Sequence, residues 1–270
     1  MKGKWIVIPA IILLILVASV VAALLAVPLV ARPLSEDKLR ELGVIEPDSL
    51  FVTVDGVKTR YVVKGEGESI ILIHGFASSL YTWRRCLDPL SEHFRVIALD
   101  LKGFGYFEKP PSEYSIGEYV EFLIHFMDSI GIDKATLCGN SMGGLIAWRT
   151  ALKYPERVDR LILVDAGGYP SERTGLPSFL KLARLPGAGR LFSLIMTRDR
   201  IRNSLESAYY DDSKVTEKAV DAYYYATRTK GAMHAPLARM RAGMNEVQQW
   251  EGRIPELKLP TLIIWGAEDS

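Results

Sequence analysis

A serine hydroxyl becomes a useful nucleophile when it is bared, when a base takes its proton, and when the charge it creates is stabilised. The segment Gly139-Asn140-Ser141-Met142-Gly143-Gly144 has the residue types for the first and last of these needs. Gly139 and Gly143 lie two residues before and two after Ser141, which suits a sharp strand-to-helix turn where flanking side chains would collide. A helix opening at Met142 would aim its free amides and partial positive charge at a developing oxyanion. A second segment, His74-Gly75-Phe76, follows the wholly apolar run 69–73. A turn at Gly75 can carry the Phe76 amide towards the same serine, so the amides of Phe76 and Met142 form the candidate oxyanion hole. His74, wedged between a buried run and a glycine, reads as a loop-shaping histidine rather than a base.

Those segments need elements to hold them. Leu50–Val54 and Thr59–Val63 flank Asp55-Gly56, a hairpin signal. The runs 69–73, 94–99, 135–138, 158–164 and 261–265 are short and apolar, as strands covered on both faces are. Between them, apolar positions 116, 119, 120, 123, 126, 127 and 130 trace one face of a helix over 115–130. A second helical stretch runs over 142–154, directly after Ser141. Strands alternating with helices predict an α/β fold with a mainly parallel sheet flanked by helices. Residues 170–250 break the rhythm: they hold no apolar strand run, but amphipathic stretches at 176–185 and 215–228. That is too long for a connection, so a helical insertion between two strands is expected.

The chain has 270 residues, of which 49% are hydrophobic and 24% charged, which excludes disorder as its dominant state. Lys plus Arg is 33 against 32 for Asp plus Glu, and this balance argues against a nucleic-acid partner. The apolar residues crowd one end. Residues 5–31 are interrupted only by Pro9, Ser19 and Pro28, and Ala10–Val27 is free of charge and proline. A run of this length reaches across a bilayer core as a helix and exceeds the apolar region of a cleaved signal peptide. An uncleaved single-pass anchor is therefore expected. The basic tail with Lys2 and Lys4 resembles a bacterial signal anchor, which would put the rest of the chain outside the cytoplasm. Cys86 and Cys138 read as buried thiols rather than a pair.

Five blocks together resemble the α/β-hydrolase superfamily, in its serine-nucleophile branch. They are HGFASSLYTW (74–83), DLKGFGYFEKP (100–110), GNSMGG (139–144), YPERVDRLILVDAGG (154–168) and LPTLIIWGAEDS (259–270). The resemblance covers nearly all of residues 50–270. It implies Ser141 as nucleophile, Phe76 and Met142 as donors of the oxyanion-hole amides, and Asp269 as the acid that orients the base. Gly75, Gly139 and Gly143 are the loop and elbow glycines. Asp165, at the end of the run 158–164, is an alternative acid. The insertion corresponds to the family's helical cap. The implied order is an anchor over 1–31, a tether over 32–48, the first part of the core over 49–169, the cap over 170–250 and the second part of the core over 251–270. No cofactor or metal is implied.

Two departures stand out. Phe107 replaces a serine common in the family's DLxGxG block. In the family the histidine base follows the acid, and here only Ser270 follows Asp269. His93, His125 and His234 lie elsewhere: before a strand, on a polar helix face and in the expected cap. The expectation is that the family's last strand and helix, with the histidine, are missing from this sequence, which by itself would be inactive. The leading reading is a membrane-anchored serine hydrolase of carboxylic esters, lipid-like ones in particular. The alternatives are a carbon–carbon bond hydrolase of the meta-cleavage type, whose elbow GNSMGG resembles, and a non-catalytic relative without its base.

Overall fold

The computed structural model describes residues 11, 12, 14, 15, 17–19, 21, 22, 33–106, 108–168, 192, 195–242 and 250–268. Seven strands form one sheet in the order β1-β2-β4-β3-β5-β6-β7. They are β1 Leu50–Val54, β2 Val57–Lys64, β3 Ser69–Ile73, β4 Arg95–Leu99, β5 Ala135–Asn140, β6 Val158–Val164 and β7 Thr261–Ile264. The hairpin β1-β2 is antiparallel and joins β4 antiparallel, whereas β4, β3, β5, β6 and β7 run parallel. The expected hairpin turn is realised at Asp55 and Gly56, both at positive φ (51° and 76°), which matches the twist of the flanking strands.

Strand periodicity sorts the core into two layers. Along β3, Ile71 and Ile73 face one side of the sheet with Ile97 and Leu99 of β4. There α3 (Ile116–Ser129) and α4 (Met142–Lys153) cover them through Leu123, Phe126, Met127 and Ile146. Ile70 and Leu72 face the other side with Val96 and Ala98, under Leu80, Trp83 and Leu87. Leu80–Trp83 is a short 3-10 helix, and Leu87 opens α2 (Leu87–Ser91). Apolar residues on both faces are why these strands read as unbroken apolar runs.

The helix expected over 115–130 has a sequence-encoded start. Ser115 accepts from the Glu118 amide, and Glu118 reaches back to the Ser115 amide, a complete capping box. In the expected tether, α1 (Glu36–Glu41) packs Leu39 with Val44, Ile45 and Tyr106, and the Leu34 amide bonds the Arg228 carbonyl of the insertion. Between β6 and β7 the described elements are helical: α5 (Arg198–Ala208), α6 (Glu217–Ala226) and α7 (His234–Ala242). The stretch 176–185 lies outside the described residues, as does most of the apolar run 5–31. Among the described residues no helix is long and apolar enough to cross a membrane. Cys86 and Cys138 are both free; Cys138 is buried, but Cys86 is only half-buried.

Candidate active site

β5 ends at Asn140 and α4 begins at Met142, so Ser141 alone makes the corner. It does so at φ 52° and ψ −116°, an uncommon and strained backbone for a residue with a side chain. The corner is held from three directions. The Ser141 amide donates to the Val164 carbonyl (3.0 Å), and the Ser141 carbonyl accepts from Gly167 (2.9 Å) and Leu145 (3.1 Å). The side chain is exposed and makes no capping bond to its own helix.

The glycines are explained by contact. A Cβ on Gly143 would stand 2.1 Å from the Ile73 carbonyl oxygen, and one on Gly139 would stand 2.2 Å from that of Gly143. These distances let β5, β3 and the start of α4 pack backbone to backbone. Gly75 ties the second segment to the first: a Cβ there would lie 3.1 Å from Asn140 Oδ1 and 3.3 Å from Ser141 Cβ. The structure thus brings Gly75, Ser141 and the first turn of α4 together. Phe76, next in the chain, is 41% exposed and sets its ring edge-on to Phe104. Met142 is buried at the first position of α4.

His74 has both ring nitrogens committed. Nε2 accepts from the Leu101 amide (3.0 Å), so Nδ1 carries the proton and donates to the Gly75 carbonyl (2.7 Å). Complete burial pushes its pKa below the ordinary histidine value. It is a neutral brace for the loop. His125 bonds Asp55 (2.9 Å) and His234 bonds the Lys109 carbonyl (3.2 Å), while His93 stands exposed before β4. Among the described residues none of the four histidines is hydrogen-bonded to Ser141.

Asp269 lies outside the described residues. The turn leading to it is described, and Asp165 holds it. Asp165 has φ 44°, its amide donates to the Ile264 carbonyl (2.9 Å), and its Oδ1 accepts from the Gly266 amide (2.7 Å). The carboxylate named as an alternative acid is therefore engaged in closing the turn after β7.

Two groups that brace the site had no role in the sequence reading. Arg60 and Asp100 form a buried pair, with Nε to Oδ2 at 2.9 Å, and Glu46 takes a second guanidinium edge at 3.1 Å. Burial works against the Arg60 charge, but Asp100 and Glu46 outweigh it and raise its pKa. Asp100 Oδ1 also accepts from the Leu80 amide (2.8 Å), which fixes the far end of the loop starting at Gly75. An arginine inside the run TRYVV was the available signal. From the insertion, the Tyr223 hydroxyl accepts from Ser78 (3.1 Å) and lies 3.2 Å from the Thr82 hydroxyl. This clasps α6 to the same loop.

A family profile described as the alpha/beta hydrolase fold matches residues 68–270. The chain belongs to the α/β-hydrolase fold family. An uncharacterised protein of Mycobacterium tuberculosis is 35% identical over 158 residues, which make up 58% of this chain and 46% of that one. The chain thus spans about half the length of such relatives. The 2-hydroxy-6-oxo-6-(2'-aminophenyl)hexa-2,4-dienoic acid hydrolase of Metapseudomonas resinovorans is 30% identical over 229 residues, covering 82% of this chain and 74% of that enzyme. Among solved structures, a variant of the meta-cleavage product hydrolase CumD is 32% identical with a TM-score of 0.63, over 82% of this chain and 80% of that one. Membership supports a hydrolase, and the strained Ser141 corner is where its chemistry would be sought.

Proposed function

We propose that this chain carries the nucleophile and oxyanion hole of a serine hydrolase acting on carboxylic esters with apolar acyl chains. The observation that carries the reading is Ser141 at φ 52° between β5 and α4, with Gly75 packed against it. Ser141 Oγ attacks the ester carbonyl while a general base takes its proton, and the amides of Phe76 and Met142 hold the tetrahedral oxyanion. The C–O bond breaks, the alcohol leaves with that proton, and water, deprotonated by the same base, then displaces the acyl group as a carboxylic acid and the proton returns to Ser141 Oγ. Asp269 orients the base. His74, His125 and His234 are hydrogen-bonded elsewhere, and the family order puts the base after the acid in the chain. The apolar run 5–31 is proposed as a membrane anchor, with the hydrolase part outside the cytoplasm. Such an anchor favours substrates that concentrate at a lipid surface.

A fluorophosphonate probe applied to the full-length gene product tests the nucleophile. Wild type becomes labelled and Ser141→Ala does not, with hydrolysis of p-nitrophenyl octanoate falling by about a thousandfold or more. Absence of labelling in the wild-type product would make the non-catalytic reading the correct one. Resistance of the same product to carbonate extraction from membranes tests the anchor.

The 30% identity to a dienoic acid hydrolase over 82% of this chain favours one second reading, carbon–carbon bond cleavage of a meta-ring-fission product. Loss of the coloured dienoate at a rate exceeding p-nitrophenyl ester hydrolysis would put that reading first.

A further inference from the structure

The loop from Gly75 to Leu80 carries the candidate oxyanion amide of Phe76, and its two ends are fixed by the core. At one end His74 Nδ1 donates to the Gly75 carbonyl (2.7 Å), and at the other Asp100 accepts from the Leu80 amide (2.8 Å). The stretch between is thinly supported. Among the described residues the amides of Phe76 and Ala77 donate to no acceptor, and Ala77 stands at φ 54°, a conformation uncommon for a residue with a side chain. Such a backbone persists only where its surroundings over-determine it. The next residue, Ser78, supplies that restraint. Its carbonyl accepts from the Gly105 amide at a long 3.4 Å, so the firmer hold is on its side chain. Ser78 Oγ donates to the Tyr223 hydroxyl (3.1 Å), that hydroxyl lies 3.2 Å from Thr82 Oγ1, and Thr82 Oγ1 lies 2.5 Å from Ser78 Oγ. Each hydroxyl can donate once around this ring: Ser78 to Tyr223, Tyr223 to Thr82 and Thr82 to Ser78.

Two members of the ring belong to the loop and its 3-10 helix, and the third comes from α6 of the insertion. That helix is itself seated on the core. The Tyr106 hydroxyl donates to the Ala222 carbonyl (2.6 Å), Ala219 and Ala222 are buried with Tyr81, and the Tyr223 ring stands edge-on to that of Tyr81. We infer that Tyr223 is a positioning residue for the oxyanion hole: by fixing Ser78 it fixes the Phe76 amide two residues earlier, across the strained Ala77. The insertion thereby shares in the geometry of the hole without touching the reacting atoms. This rests on the proposed roles of Ser141 and the Phe76 amide. An amide moved off the oxyanion position is lost mainly in the transition state, so the effect falls on kcat rather than on KM.

Tyr223→Phe in the full-length gene product is the test, because it removes one oxygen and leaves the ring against Tyr81. The kcat for p-nitrophenyl octanoate is expected to fall by about tenfold, with KM changed by less than about twofold. Hydrogen exchange over residues 76–82, read by mass spectrometry, is expected to quicken by about tenfold. Ser78→Ala gives the same two effects, and the double variant falls no further than either single one. Tyr224→Phe, the next hydroxyl along α6, changes neither. Wild-type kcat in Tyr223→Phe, a rise in KM at constant kcat, additive losses in the double variant or an equal loss in Tyr224→Phe would each overturn the inference. If Tyr223→Phe does not fold, Ser78→Ala against Tyr224→Phe decides on the same readouts. Exchange needs no catalysis, which keeps the two readings apart. A wild-type product that turns over no ester and takes no fluorophosphonate sinks the hydrolase reading. In that product faster exchange in Tyr223→Phe still upholds its hold on the loop, and unchanged exchange removes it.

Discussion

At the residue scale, the corner at Ser141 tolerates its strained backbone because Gly139 and Gly143, two residues to either side, carry no side chains that would collide. Gly143→Ala would place a methyl 2.1 Å from the Ile73 carbonyl oxygen, a backbone atom held in the centre of the sheet. A loss of about 3 kcal/mol or more is expected in urea unfolding. A loss under about 1 kcal/mol would mean that β3 and α4 can part more easily than their packing implies. Lys109 makes a pH prediction. Its ammonium is buried and bonded to the Gly105 carbonyl (3.0 Å), and burial pushes its pKa down to about 8. An unfolded lysine titrates near 10.5. Between those values the unfolded chain holds the proton that the folded chain has released, so stability rises with pH across that window and this contribution is flat below it. Relative to Lys109→Met, the wild type should gain on the order of 3 kcal/mol in unfolding free energy as pH rises through the window. Parallel pH profiles for the two proteins would show that Lys109 is solvated.

At the element scale, the positions of the strands followed from their apolar runs, and β6 spans the expected 158–164. Helix α3 was legible from its apolar face, and the structure adds its cap. Ser115→Ala removes the acceptor for the Glu118 amide and should cost about 1 kcal/mol, read as a lower thermal midpoint. An unchanged midpoint would show that packing of Phe122, Leu123 and Phe126 alone sets where this helix begins. Of the expected insertion, the described elements are helical, and α6 falls within the expected 215–228. Its contact with the core was not legible. Nothing in the spacing of Tyr223 announces that its hydroxyl will meet Ser78 and Thr82, because the two partners are 145 and 141 positions away.

At the scale of the whole molecule, the sheet is unevenly clothed. Its central strands are buried on both faces, whereas Leu262, Ile263, Ile264 and Trp265 are all exposed, Ile263 by 61%. Among the described residues β7 pairs only with β6. At the centre of the sheet Ile71 is fully buried, and Ile71→Ala should cost about 3 kcal/mol or more in urea unfolding. A cost under about 1 kcal/mol would show that α3 and α4 can close over the vacated space.

The sequence by itself determined the class of the fold, the elbow and its glycines, because these depend on local periodicity and on which residues fit a tight turn. It also assigned His74 correctly to the loop, since a histidine between an apolar strand and a glycine has backbone groups on both sides to satisfy. Only the tertiary structure decided what braces the site. The Arg60–Asp100–Leu80 chain, the Asp165 hold on Gly266 and the Tyr223 clasp each join residues far apart in sequence. A buried charge must find its partner wherever the fold supplies one, and that place is set by the packing of the whole sheet rather than by spacing along the chain.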